Sequence, residues 1–297
     1  MKAISLVLSG GGARGIAHIG VIEEFENQGF KIQSIAGTSM GSLIGGIYAA
    51  GTLKEFKKWA THLDKVDIFK LIDFTLLNNG FVKGDKVFKE LKNFIPDINI
   101  QDLKIHYAAV ATDIIKRKEI VFTEGSLIKA IRASVSIPSV FTPVMKEDSI
   151  IVDGGVVNNI PINHVQRTKD DILVAVNVNA NTPLPKIKKK EIPTKTVEKQ
   201  AIYQGLVKSF NDTLHKILPN EKKSTFGRFD IMNHSYEMMR DQLVKLYLEI
   251  NPPDILIETS REFCGIYDFY KAKDLIDYGR EVTAKSIKKY QAELKKQ

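Results

Sequence analysis

Residues 3–9 (Ala-Ile-Ser-Leu-Val-Leu-Ser) form a short, nearly unbroken apolar run that stops at glycines, after which Ile16, Ile19, Ile22 and Phe25 recur at helical spacing. This predicts a buried strand, a glycine turn and an amphipathic helix that Gly29 ends. Ser34-Ile35-Ala36 supplies a second strand, and Met40 to Ala50 a second helix stopped by Gly51. Strand, helix, strand, helix in that order predicts a parallel βαβ unit. From Trp59 to Phe94 the pattern is helical but irregular, with Phe69, Leu71 and Ile72 too closely spaced for one clean face. His106 to Thr112 and Glu119 to Thr123 then read as a hairpin around Lys116-Arg117-Lys118, closed by Gly125. A short helix over Leu127 to Ala133, a loop punctuated by Pro138 and Pro143, and a strand at Ser149 to Val152 lead into Asp153-Gly154-Gly155. Ile172 to Val178 is a further buried strand.

Past Pro183 the pattern changes. Residues 186–199 hold six lysines and show no apolar period until Ala201, which predicts a linker or an excursion from the fold. Two amphipathic helices follow, one with Ile202, Leu206, Phe210, Leu214 and Ile217 on its apolar face, the other with Met232, Tyr236, Met239, Leu243 and Leu246. Asp254 to Glu258 gives a last strand, and residues 271–294 a terminal helix with lysines at its end, where the helix dipole favours positive charge. This alternation predicts an α/β fold, a three-layer sandwich around a mostly parallel sheet. The expected organisation is one domain over residues 1–297, with 184–250 as a helical, Lys-rich insertion or lid-like segment.

Composition then narrows the function. A chain of 297 residues, 43% hydrophobic, buries a sizeable core without disulfides. Cys264 alone excludes an internal disulfide and a multi-cysteine zinc site, and no His-Glu-x-x-His stretch replaces one, so no metal is expected. The first apolar run is too short for a secretory signal. Met40 to Leu53, the longest weakly polar run, falls short of the roughly 20 residues that cross a bilayer. The expected location is therefore cytoplasmic. A formal charge of +8 favours anionic surfaces where it is clustered. The cluster is Lys186 to Lys199, a candidate for peripheral contact with an anionic membrane at about 1 kcal/mol per lysine. A solvated loop is the plainer reading.

The most specific chemical signal is Gly37-Thr38-Ser39-Met40-Gly41, a Gly-x-Ser-x-Gly elbow between a predicted strand and a predicted helix. Ser39 is the candidate nucleophile, although a serine there also serves as a helix cap. Gly10-Gly11-Gly12-Ala13-Arg14-Gly15 matches a dinucleotide fingerprint, but the acidic residue that a Rossmann site needs at the end of the second strand is missing, because residues 31–36 read Lys-Ile-Gln-Ser-Ile-Ala. No Gly-Lys-Ser/Thr follows, which excludes a Walker loop. What remains is a glycine turn whose N–H groups can face a developing oxyanion, or a tight turn with no ligand. Asp153-Gly154-Gly155 places a carboxylate at a strand end, as a turn or as a partner for Ser39. Among the histidines, His164, His215 and His234 compete for the base without any standing out, and His18 reads as a packed, loop-bracing residue.

Together Gly10 to Gly15, Gly37 to Gly41 and Asp153 to Gly155 resemble, in order and spacing, the signature of the patatin-like phospholipases. Ala111-Thr112-Asp113, Ala133 to Pro138 with Phe141, and Val156 to Pro161 extend the resemblance over residues 3–180. It implies a Ser–Asp dyad without histidine, carried here by Ser39 and Asp153. It also implies an oxyanion hole on Gly10, Gly11, Gly12, Ala13, Arg14 and Gly15, and no cofactor. The implied activity is hydrolysis of phospholipid or lysophospholipid acyl esters, with a lipid acyl ester as partner and no nucleic acid. A free Asp, of pKa near 3.9, is a weak base, so a dry site and strong oxyanion stabilisation must carry the reaction. Three other classes remain open: an acyltransferase using the same serine, a nucleotide-binding protein, and a catalytically silent lipid-binding module. The sequence leaves the oligomeric state open.

Overall fold

The computed structural model describes residues 2–71, 84–138, 140–184 and 228–296. The Lys186 to Lys199 cluster, the helix expected over Ile202 to Ile217, and His215 lie outside the described residues, as does most of the expected 184–250 insertion.

Strand β1 (Ala3–Leu8) pairs in parallel with β2 (Lys31–Thr38) on one edge and with β7 (Ile172–Ala180) on the other. In turn β2 pairs in parallel with β3 (His106–Asp113), and β7 with β8 (Ile255–Ser260). The order β3-β2-β1-β7-β8 makes the parallel centre of an eight-stranded sheet. Every residue of β7 is buried, as a parallel strand covered on both faces requires. The remaining pairs are antiparallel. β3 folds back into β4 (Lys118–Phe122) at the expected hairpin, with Arg117 in left-handed backbone at φ 51°.

Strand β6 (Ser149–Asp153) pairs antiparallel with β3 and with β5 (Val144–Lys146). The sequence reading makes Val144–Lys146 loop. Three residues are too few to show a period, and pairing to β6 alone makes them a strand.

Side chains of β1 alternate between two cores. Leu6 and Leu8 join Ile19, Ile22 and Phe25 of α1 (Ala17–Asn27), Ile44 of α2 (Met40–Ala49) and Ile276 of α8 (Ala272–Leu294) on one face. Val7, with Ala36, Ala108 and Ala175, faces the other way and meets Val244 of α7 (Arg228–Ile250). Burying each large aliphatic or aromatic side chain contributes about 1.5–3 kcal/mol. The irregular stretch from Trp59 to Phe94 includes the end of α3 (Leu53–His62), then α4 (Lys65–Leu71) and α5 (Asp85–Leu91), and α6 (Leu127–Ser134) follows the hairpin.

Helix α7 corrects one expectation. Met232, Met239 and Leu246 are exposed by 59%, 57% and 50%, whereas Tyr236 and Leu243 of the expected face are half-buried, and the covered stripe runs through half-buried Tyr236, Arg240 and Tyr247 with Val244 buried among them. No described helix is long and apolar enough to cross a membrane.

Candidate active site

β2 ends at Thr38 and α2 begins at Met40, which leaves Ser39 at φ 54° and ψ −124°. A non-glycine residue there costs on the order of 1–3 kcal/mol and persists only where its surroundings hold it. The Ser39 N–H donates to the Ser134 hydroxyl at 2.9 Å, and that hydroxyl donates to the Val110 carbonyl at 2.6 Å. The Ser39 carbonyl accepts from the Ser42 hydroxyl at 2.7 Å, and the Thr38 hydroxyl donates to the Asn158 carbonyl at 2.8 Å. The Ser39 side chain makes no capping bond to α2, so the helix-cap reading does not hold. Gly37 and Gly41 serve close approach: a Cβ on Gly41 would lie 2.1 Å from the Leu8 carbonyl oxygen.

The sheet register brings the acid to the serine. Thr38 pairs with Val110 and Asp153 with Ala111. Since Val110 and Ala111 carry β4 on their other edge, β6 continues along β3 where β2 leaves off. A Cβ on Gly154 would lie 2.3 Å from the Val110 oxygen and 3.1 Å from Thr38 Cγ2, so that turn is pressed against the elbow. Asp153 is buried, and its Oδ1 accepts the Gly155 N–H at 2.7 Å. Its Oδ2 is buried without a partner in strict hydrogen-bond geometry. Burial pushes the carboxyl up to about 6, opposed first by the Ser39 hydroxyl, then by the Gly155 N–H and the charge of Arg240.

The glycine loop meets the same point. A Cβ on Gly10 would lie 3.0 Å from Ser39 Cβ and 2.6 Å from Asn159 Oδ1. Gly12 takes φ 57°, which glycine adopts without strain, and Gly15 packs against Met40. Only some of the loop's N–H groups are open. The Gly10 N–H is spent on the Asn159 carbonyl at 3.1 Å and the Ala13 N–H on Ile266 at 2.9 Å. The N–H groups of Gly11 and Gly12 carry no hydrogen bond among the described residues. The Arg14 side chain anchors the loop through Cys264 O at 3.0 Å and Asn179 Oδ1 at 3.1 Å. Asn179 in turn donates to the Gly10 carbonyl at 2.6 Å.

The candidate histidines among the described residues stand elsewhere. His18 is buried with Nε2 at 2.8 Å from the Ser9 carbonyl, and burial pushes it down to about 4, so it braces the loop as a neutral ring. His164 pairs with Glu119 at 2.8 Å, and His234 faces Glu237 at 3.9 Å. Among the described residues no group of His, Cys, Asp and Glu is placed to hold a metal. A cleft of about 420 Å³ opens between α7 and the ends of β7 and β8, lined by both signs of charge and by neither Ser39 nor Asp153.

Sequence reasoning gave no role to Ser134, Asn159 and Asn179, and it predicted α7 without its Arg240-bearing stripe or its approach to Asp153. The charge of Asp153 contributes to raising the Tyr236 hydroxyl to about 12, after burial, and Arg240 acts on Asp153. The available signal was the single Arg240 on the Tyr236–Val244 stripe.

Residues 6–165 match the model of the patatin-like phospholipase family. An uncharacterized NTE family protein of Mycobacterium tuberculosis is 28% identical over a 331-residue alignment, covering 97% of this chain and 92% of the relative. Lysophospholipase NTE1 of Pyricularia oryzae is 33% identical over 184 residues, 60% of this chain but only 12% of that much longer protein. Among solved structures, VipD from Legionella pneumophila covers 96% of this chain and 67% of its own at a TM-score of 0.44 and 14% identity.

Proposed function

The chain belongs to the patatin-like phospholipase family, and from that membership we propose that it is a lipid acyl hydrolase cleaving carboxylic esters of phospholipids or lysophospholipids through Ser39 and Asp153. The observation that carries this reading is a buried carboxyl with one unspent oxygen beside a hydroxyl held at positive φ. Ser39 Oγ attacks the ester carbonyl while Asp153 takes its proton. The tetrahedral oxyanion is met by the N–H groups of Gly11 and Gly12, each such donor being worth about 2.7–4 kcal/mol. Collapse breaks the bond to the alcohol, which leaves with the proton from Asp153. Asp153 then deprotonates a water that attacks the acyl-Ser39 ester, and the fatty acid departs as Ser39 is reprotonated. A carboxyl raised to about 6 is a better base than a free Asp and still ionised at neutral pH. Peripheral contact with an anionic membrane through Lys186 to Lys199 belongs to the same proposal.

Fluorophosphonate labelling followed by peptide mass spectrometry tests it. The label is expected on Ser39, lost in Ser39→Ala and strongly slowed in Asp153→Asn, with hydrolysis of a short-chain nitrophenyl ester falling in parallel. Full hydrolysis by both variants would overturn the reading.

A further inference from the structure

Helix α7 runs across the sheet toward the strand ends that carry the site. Past its C-terminal end, Asp254 accepts the Leu173 N–H at the start of β7, at 2.7 Å, and Val244 packs on Leu173 and Ala175. Nearer its N-terminus, Asp241 reaches Arg261, just beyond the end of β8, at 2.5 Å. Arg240, one turn before Val244, therefore lies on the sheet-facing stripe close to the strand ends. Its charge reaches Asp153, Tyr236 and Arg14.

Arg240 is 11% exposed, and its Nε and Nη2 are buried without a hydrogen-bond partner. The Asp241 carboxylate stands 3.6 Å from Nη2, beyond hydrogen-bond length, and its other oxygen is taken by Arg261. Of the neighbouring guanidiniums, Arg14 is committed to Cys264 and Asn179, and Arg261 gives its Nη2 to Asp241 while its Nε, like that of Arg240, is buried without a hydrogen-bond partner. A buried guanidinium with open donors beside a reaction centre is the fork that a phosphate or carboxylate completes in bidentate fashion.

The geometry points to Arg240 as a binding residue for the phosphate of the lipid head group, held beside the scissile ester. This rests on the hydrolase reading and assigns to Arg240 the selection of phosphate-bearing lipids over neutral acylglycerols. In a glycerophospholipid the phosphate is only a few bonds from the ester and carries its charge at all working pH values. The acyl chain then extends away from the arginine cluster.

The test compares kcat/KM for a lysophosphatidylcholine and for the monoacylglycerol of the same chain, in the same detergent, with Arg240→Gln and Arg240→Lys beside the parent. Loss of Arg240 also alters Asp153, but this acts on both esters alike and cancels in their ratio. The ratio is expected to fall at least tenfold in Arg240→Gln, mainly through KM, and to recover in part in Arg240→Lys. In the unmutated protein, glycerophosphocholine is expected to slow fluorophosphonate labelling of Ser39 where glycerol does not, a readout independent of how the variants fold. A ratio unchanged within twofold while Ser39 still labels would overturn the phosphate site and leave the hydrolase reading intact. The same unchanged ratio with relief of inhibition by oleate would assign the guanidinium to the carboxylate product instead. Failure of Ser39 to label in the parent would remove the hydrolase reading and this inference with it.

Discussion

The backbone N–H of Ser39 ends on the side chain of Ser134, 2.9 Å away, so the strained residue of the elbow is tied to α6 through its N–H, while its carbonyl is held by Ser42 and Leu43 of its own helix. Ser134 Oγ passes the bond on to the Val110 carbonyl at 2.6 Å. Ser134→Ala leaves a buried N–H and a buried carbonyl unsatisfied, which costs about 1–3 kcal/mol. It also loosens the φ of 54° that holds the Ser39 hydroxyl toward Asp153. The expected outcome is a lowered urea midpoint together with slower fluorophosphonate labelling. Unchanged labelling at full occupancy would show that the elbow keeps its shape without this bond.

Gly41 is the steric counterpart. The Cβ that Gly41→Ala adds would lie 2.1 Å from the Leu8 oxygen and 2.6 Å from the Leu8 carbon, both backbone atoms that cannot swing away. Overpacking costs typically about 1–3 kcal/mol, and a rigid backbone contact belongs at or above the top of that range. Gly51→Ala meets no atom within 4 Å and carries only the strain of φ 83°, about 1–2 kcal/mol. Thermal denaturation should rank the two in that order, and only Gly41→Ala should lose Ser39 labelling.

Helix α7 separates apolar pattern from burial. Met239→Lys, on the face that spacing alone marks as core, should change stability by less than about 0.5 kcal/mol because Met239 is 57% exposed. Val244→Ala, at 6% exposure, should cost about 1.5–3 kcal/mol. Equal effects in urea titrations would show that the Met face is covered.

The parallel centre of the sheet was legible because β1, β2 and β7 are buried runs bounded by glycine or helix signals, where period and punctuation agree. Helix α7 was misread because methionine, tyrosine and arginine sit on adjoining stripes, and an apolar count ranks Met232 and Met239 above Arg240 as core. The short motifs carried Ser39 and Asp153 into one site, since elbow and acid turn each mark a strand end. Which loop N–H groups stay open was not legible. That depends on Asn159 and Ile266, which reach Gly10 and Ala13 from remote parts of the chain. Ser134 was hidden for the same reason: its partner is a backbone N–H 95 positions away.

Asp153 and His18 give the site opposing pH dependences. Asp153 has its folded pKa raised from 3.8 to about 6, so the fold binds its proton more tightly than the unfolded chain does. Its contribution is fully present below 3.8 and is lost as pH rises through about 6, a change of about 3 kcal/mol. His18 has its folded pKa lowered from 6.5 to about 4, so its contribution is present above 6.5 and is lost as pH falls toward 4, again by about 3 kcal/mol. Between about pH 4 and 6 the two slopes nearly cancel, and the parent protein should show a shallow curve there. Asp153→Asn keeps an oxygen for the Gly155 N–H and removes one slope. It should be more stable than the parent by about 3 kcal/mol at pH 8, converge with it near pH 4, and expose the acid loss due to His18. His18→Gln keeps a donor for the Ser9 carbonyl and should tilt the curve the other way, losing stability as pH rises through about 6. Urea midpoints at pH 4, 5, 6 and 8 separate the three proteins, and parallel curves would mean that neither group titrates as its burial requires. In the parent, kcat/KM should rise with pH, half-maximal near 6, as Asp153 becomes the free base.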